Sequence, residues 1–350
     1  MNYILYYYII KTISFKMFSK ILTVVALASV ACAANLRSRE VYEGAFAEHL
    51  TKFGITLKDG AEFVQRLQIF ADNFDMIEQH NAGNSSYKLG TNQFSHLTLE
   101  EFQASVNLGG IKRPNLRKSN QMHAAPAGYK AADAIDWTTT KAVTDVKNQG
   151  QCGSCWSFSA TGALEGAYYA AGNSAGTSLS EQQLVSCDTG GEDAGCNGGW
   201  MDAAFEWAQN NGGLCSEADY PYTSSSGSNA ACVSGCTPVA GTAPASWTDV
   251  PAGDLDAMTS AVEQQPVSIA IQADQIAFQS YSSGVLTGKC GQNLDHGVLA
   301  VGYGTWTDGT PYWKVKNSWG DSWGMDGYIL IERSSADLCG VLDAASYPTM

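Results

Sequence analysis

The chain has 350 residues, 45% hydrophobic and 15% charged, which excludes a largely disordered polypeptide and leaves room for one or two packed domains. Its net charge is −14 at pH 7, and the basic cluster Lys112, Arg113, Arg117, Lys118 and Lys130 precedes a strongly acidic C-terminal portion, so nucleic-acid and anionic-membrane partners are not expected. Ten cysteines without the paired short Cys/His clusters of a zinc site point to disulfides in an oxidising compartment.

The N-terminus agrees with that compartment. Residues 17 to 33 have the pattern of a signal peptide: Lys20, an apolar run from Ile21 to Val30, and Ala31-Cys32-Ala33 as a small-residue cleavage site. The run is shorter than a transmembrane helix needs. The Tyr/Ile-rich stretch ahead of it is interrupted by Lys11 and Lys16, so Met17 is a candidate true start, and an uncleaved anchor is the alternative.

Residues 41 to 102 are helical in character. Glu62, Arg66, Phe70, Asn73, Ile77 and Asn81 recur at steps of three or four, which stacks them on one helix face, while Phe63, Leu67, Phe70, Phe74 and Ile77 supply an apolar side. Asn84-Ser85-Ser86 is an N-glycosylation sequon. From Gly109 to Lys130 the chain mixes Gly, Pro, Asn, Lys, Arg and Ala with no apolar period, the composition of an exposed linker open to proteolysis.

Further along, Trp156, Ala160, Ala163, Leu164, Ala167 and Tyr168 predict a helix over residues 154–171 with Gly172 as its stop, which puts Cys155 at a helix N-terminus. Two short helices are predicted over 180–185, opened by a Ser180/Gln183 capping pattern, and over 201–209. Beyond Trp247 the character changes to strands: runs at 267–271, 297–303, 312–316 and 328–332 are separated by Gly, Asp and Pro turns. The Ser/Gly-rich 223–228 is a surface loop, and no repeat of domain length is present.

The chemistry concentrates in Gln149-Gly150-Gln151-Cys152-Gly153-Ser154-Cys155-Trp156. A redox reading of Cys152/Cys155 lacks the βαβ context such a motif needs. With Cys32 removed in a signal peptide, an odd number of cysteines remains, so one stays free. A thiol at a helix N-terminus beside an imidazolium is the one most easily ionised, and thiolate is the attacking species. His49, His80, His96 and His123 all precede residue 126, leaving His296 as the sole imidazole downstream.

These motifs resemble the papain and cathepsin L family of cysteine proteases. Cys-Gly-Ser-Cys-Trp at 152–156 resembles its nucleophile motif, Leu294-Asp295-His296-Gly297-Val298 its base motif, and Lys316-Asn317-Ser318-Trp319-Gly320 its third motif. The pattern from Glu62 to Asn81 resembles the E-R-F-N-I-N signature of the family's propeptides. Gly90, Asn92 and Phe94 open the second propeptide motif, with His96 where the family has Asp, so acid sensing by that carboxylate does not carry over and a group titrating nearer neutrality replaces it.

The resemblance implies an α+β, papain-like two-lobe fold, with a helical left lobe at about 140–245 and an antiparallel, barrel-like right lobe at about 246–345, behind a helical propeptide. The boundaries implied are 1–33 signal peptide, 34–125 inhibitory propeptide and linker, and 126–350 mature peptidase.

It also implies Cys155 as nucleophile, His296 as base, Asn317 orienting the imidazole under Trp319, and Gln149 with the Cys155 N–H as the oxyanion site. Neither metal nor organic cofactor is required. Gly198, Gly199, Trp200, Met201, Ala270, Leu294, Asp295, Gly297, Trp319 and Ala344 would line the substrate site. Its uncharged pocket for the second residue before the scissile bond would favour Leu, Val or Phe over Arg.

Disulfides Cys152–Cys196 and Cys290–Cys339 are implied. For Cys187, both Cys232 and Cys236 are available and Cys215 is an additional cysteine; Cys187–Cys232 with Cys215–Cys236 is favoured. No His-bearing insertion between Cys232 and Trp247 occludes the cleft, which favours an endopeptidase. The expected partners are polypeptide substrates and the chain's own propeptide, with no nucleic acid, no membrane after signal cleavage, and a monomeric state. The expected location is the secretory pathway, ending in a lysosome or vacuole or outside the cell. A ligase using the same dyad, with an amine taking the acyl group, is the alternative activity.

Overall fold

The computed structural model describes residues 37–108, 111, 119, 121–173, 176–288 and 290–350. The signal-peptide and start-site assignments, and the basic residues Lys112, Arg113, Arg117 and Lys118, lie outside these residues. Two compact units are present, one ending at Met76 and one from Ile77 onward.

In the first unit, helix α1 (Arg39–Phe53) is followed by most of α2 (Gly60–Ala82). Glycine in the left-handed region at Gly54 (φ 63°) stops α1, its N–H returning to the last carbonyls of the helix. Tyr42, Phe46, Leu67, Phe70 and Ala71 form the core between the two helices. The Tyr42 hydroxyl donates to the buried Asp75 carboxylate at 2.6 Å, and Arg66 lies 4.0 Å from Glu62 one turn away.

In the second unit, α2 ends where Asn81 takes over the role of a strand partner. Its Nδ2 donates to Leu89 O at 2.8 Å and its Oδ1 accepts from Leu89 N–H at 3.0 Å. That anchors β1 (Tyr87–Leu89). Helix α3 (Leu99–Ser105) begins with a full capping box between Thr98 and Glu101. Helices α4 (Cys155–Ala170), α5 (Glu181–Cys187) and α6 (Met201–Asn210) form the helical part. Ser180 caps α5 by accepting from Gln183 N–H.

The sheet runs through β2 (Ile135–Asp136), β3 (Ser246–Val250), β4 (Val267–Ile271), β5 (Tyr281–Leu286), β6 (His296–Thr305), β7 (Pro311–Lys316), β8 (Tyr328–Glu332) and β9 (Ala345–Thr349). Its order is β1-β5-β8-β7-β6-β4-β9-β3, with β2 on β6. Helices α7 (Leu255–Gln264) and α8 (Ile276–Gln279) flank it.

Three points differ from the sequence reading. The sheet is not wholly antiparallel, since β5 and β8 pair in parallel through Val285–Leu330 and Leu286–Ile331. Strands β3, β5 and β9 and helix α7 went unread: β5 (Tyr-Ser-Ser-Gly-Val-Leu) has no polar/apolar alternation and β9 contains Pro348, so neither shows a period-two signal. The linker is not exposed throughout, because Ile111 and His123 are buried and His123 N–H pairs with Asp249 O at 2.7 Å.

Helix α4 is the element that joins helices to sheet. A Cβ on Gly162 would lie 2.7 Å from the Leu299 side chain, so glycine is what lets α4 sit directly on β6. Ser159 Oγ donates to Val298 O at 2.7 Å, and Ser268 Oγ to Ser159 O at 2.9 Å, fixing the helix against β6 and β4.

Candidate active site

That seating determines where the first residue of α4 goes. Cys155 is the free cysteine among the described residues and is 2% exposed. Its sulfur receives the N–H groups of Gly297 and Trp156. The other eight described cysteines are bridged as Cys152–Cys196, Cys187–Cys232, Cys215–Cys236 and Cys290–Cys339.

His296, the first residue of β6, immediately precedes the Gly297 that touches Cys155, and it is fully buried. Its Nε2 is 2.8 Å from Asn317 Oδ1, an oxygen that also accepts Ser318 N–H. An amide oxygen can only accept, so Nε2 carries the hydrogen and Nδ1 keeps its lone pair. Nδ1 makes no hydrogen bond of its own. The Trp319 ring stacks on the imidazole at 4.8 Å between centroids and 23° between planes, shielding the Asn317 contact from water.

Gln149 is fully buried and held at both ends of its amide. Ser318 Oγ donates to its Oε1 at 2.6 Å, and its Nε2 donates to Cys152 O at 2.9 Å and Val106 O at 3.3 Å. The side-chain N–H donor of Gln149 is thus shared between the carbonyls of residues 152 and 106. Ser318 was read only as part of the third motif and given no role, although its place between Asn317 and Trp319 was the signal that it belongs to the same constellation.

The segment after β1 covers this site. Phe94 and Phe102 meet the Trp319 ring edge-on at 5.9 and 5.4 Å, and Gln93 Nε2 donates to Trp319 O at 2.7 Å. Asn92, fully engaged, donates to Gln279 O at 2.7 Å. Asn107 Nδ2 donates to Cys196 O at 2.7 Å. Ile111 packs in one apolar cluster with Cys155, Trp200, Met201 and Ala270, with Leu294 and Ala344 at its edge; its Cδ1 lies 3.2 Å from where a Gly297 Cβ would be. An isolated aliphatic residue in a glycine- and lysine-rich stretch was the only sequence sign of this insertion.

Of the other residues expected to line the substrate site, Gly198 (φ 106°) turns the chain, and Trp200 is extended where it leads into α6. Asp295 turns away from that surface: its Oδ1 accepts Ala273 N–H at 2.8 Å, and burial raises its carboxyl to about 7.

The covered site favours neutral groups. Burial pushes the Cys155 thiol up to about 11 against the pull of the Gly297 and Trp156 N–H groups, and burial pushes the His296 imidazole down to about 4 against the pull of Asn317. This differs from the ionised thiol read from sequence. The helix N-terminus is in place, but the water that would solvate an ion pair is excluded by Ile111 and its neighbours.

Residues 131–349 match the family described as papain family cysteine protease, and residues 46–102 the cathepsin propeptide inhibitor domain (I29). The senescence-specific cysteine protease SAG39 of Oryza sativa subsp. indica is 41% identical over 327 residues, covering 91% of this chain and 95% of that protein. The probable cysteine protease RD21B of Arabidopsis thaliana is 45% identical over 311 residues, 88% of this chain and 66% of that protein. Among solved structures, a recombinant stem bromelain precursor superposes with a TM-score of 0.79 at 37% identity, over 88% of this chain and 99% of that one. Digestive procathepsin L 3 of Tenebrio molitor larval midgut gives 0.78 at 37% identity, over 90% and 100%.

Proposed function

Because the chain belongs to the papain family of cysteine proteases and is made as a proenzyme with its own inhibitor domain, we propose that it is an endopeptidase acting through Cys155 and His296. The observations that carry this reading are one unbridged sulfur at the N-terminus of α4, reached by the Gly297 N–H, and, in the residue just before that glycine, an imidazole whose hydrogen is committed to Asn317. His296 Nδ1 takes the thiol proton, and the thiolate adds to the peptide carbonyl. The oxyanion forms where Gln149 Nε2 and the Cys155 N–H converge, and the imidazolium returns the proton to the leaving amine. Water, deprotonated by the same imidazole, then hydrolyses the thioester.

The pocket next to the nucleophile supports a preference for apolar residues at the second position before the scissile bond. Ile111 already rests among Trp200, Met201, Ala270, Leu294 and Ala344, none of them charged. Burying a guanidinium there without a partner is costly. Peptides with Leu or Phe at that position are expected to exceed their Arg counterparts in kcat/KM by at least about tenfold. Equal or reversed ranking in fluorogenic-peptide kinetics would remove the pocket assignment.

Four disulfides support passage through the secretory pathway, with a vacuole, lysosome or the extracellular space as destination. No helix among the described residues is long and apolar enough to cross a membrane. Asn84 is exposed in the turn between α2 and β1 and heads the chain's Asn-Ser-Ser sequon. The proform from a secretory host is expected to carry one N-glycan that Asn84→Gln removes, and the mature form none. A proform whose electrophoretic mobility is unchanged by N-glycosidase would argue against this route.

A further inference from the structure

The loop between α5 and α6 contains two buried carboxyls that the mechanism does not use, Asp188 and Asp193, 7% and 2% exposed. Asp193 Oδ1 accepts the Trp200 N–H at 2.6 Å. A Cβ on Gly199 would fall 2.4 Å from that same oxygen and 2.6 Å from the Trp156 ring. Any side chain at 199 would strike both the Asp193 carboxyl and the Trp156 ring, so only glycine fits where the chain passes them into the extended Trp200. Ala194 N–H to Gly198 O at 2.8 Å closes the turn, and Asn229 Oδ1 holds Cys196 N–H at 2.6 Å.

The other oxygen of Asp193 is buried and receives no N–H, and the Asp188 carboxyl is in side-chain hydrogen-bond contact with Asp193. Two carboxylates offer only acceptors, so such a contact needs a proton between them.

We propose that Asp193 is a positioning residue for substrate binding: bridged to Asp188 by one shared proton, its carboxyl holds Gly199 and Trp200 in the extended line that a substrate backbone meets. The inference rests on the proposed role of Gly199 and Trp200 as the substrate wall, and it adds the group that keeps them there. Loss of the shared proton sets two buried negative charges against each other at the base of the wall.

Two acidic groups raise Asp193 further: Asp188 beyond the end of α5 and Glu192 on its own loop. Asp202 in α6, near the same Glu192, is itself raised to about 6 by burial while Ser346 Oγ and Trp200 Nε1 hold it. Burial first, then the Asp188 contact, raise Asp193 to about 9, against the pull of the Trp200 N–H. A raised carboxyl binds its proton more tightly in the clamped state than in a released one. The clamp is therefore strongest in acid, weakens as pH climbs above the ordinary value of 3.8, and is lost as pH passes about 9.

The test is the pH dependence of kcat and KM separately, from pH 5 to 10, for acid-matured wild type, Asp193→Asn and Asp193→Ala, with active sites counted by an epoxide-type thiol titrant. Asparagine keeps the acceptor for Trp200 N–H and donates permanently to Asp188. In wild type, KM should rise on the order of tenfold across the alkaline range, the loss expected for one buried hydrogen bond. In Asp193→Asn it should stay flat, and in Asp193→Ala it should be raised at every pH, with kcat in all three following the dyad. A KM in Asp193→Asn that rises with pH in parallel with wild type overturns the proposal, as does an alanine variant that binds substrate like wild type. If the alanine variant fails to mature, the asparagine comparison alone decides. Failure of the titrant to modify Cys155 in wild type would strike the nucleophile assignment instead, so the two outcomes are separable.

Discussion

Cys155→Ala should lower kcat/KM of the acid-matured enzyme by about 10^6-fold, the loss seen when a covalent nucleophile is removed and only binding and oxyanion stabilisation remain. Alanine loses one sulfur at a site already packed by Gly297 and Trp156, and α4 is held by Ser159, Ser268 and the close approach of Gly162 to Leu299. The fold should survive, and a non-cleaved hydrophobic peptide or the intact propeptide should still bind. An epoxide-type thiol reagent followed by peptide mapping checks the same atom: the adduct should fall on Cys155 in the matured enzyme and be absent from the variant. Undiminished hydrolysis by the variant, or an adduct on another residue, would overturn the assignment.

His296→Ala is expected to cost about 10^4- to 10^6-fold, because the thiol then has neither a base nor a proton donor for the leaving amine. Its signature lies in the pH profile. In the covered proenzyme the thiol is raised to about 11 and the imidazole lowered to about 4, both by burial, so both are neutral at every pH between those values. Removing the segment that carries Val106 and Ile111 readmits water, which lowers the cost of charge on both groups and permits the thiolate–imidazolium pair. The matured wild type should therefore show a bell-shaped kcat/KM profile and be alkylated rapidly near neutrality. The proenzyme should be alkylated slowly until well above pH 9, as should the matured His296→Ala enzyme relative to wild type. Equal alkylation rates for wild type and the His296 variant at pH 6 would show that the imidazole does not govern the sulfur.

Much of this was readable from local sequence because the responsible forces are local. The three-and-four spacing from Glu62 to Asn81, the capping residue Ser180, and the apolar stripe behind Cys155 specify helices wherever the chain goes. The flanking motifs of Cys155, His296 and Asn317 were enough to place the chain in its family. Strands without alternation, such as β5 and β9, were not readable, since their pairing depends on partners distant in sequence.

By itself the sequence determined the family, the α+β class, the helical propeptide and the parity of the cysteines, all of which follow from composition, short periods and contiguous motifs. Only the tertiary structure decided which carbonyls sit on Gln149, which linker side chain joins the apolar cluster around Cys155, which of Cys232 and Cys236 joins Cys187, and which carboxyl accepts the Trp200 N–H. The physical reason is that these are contacts between residues far apart along the chain. Their formation depends on burial and close approach, and burial is also what pushes the Cys155 thiol up and the His296 imidazole down in the covered site.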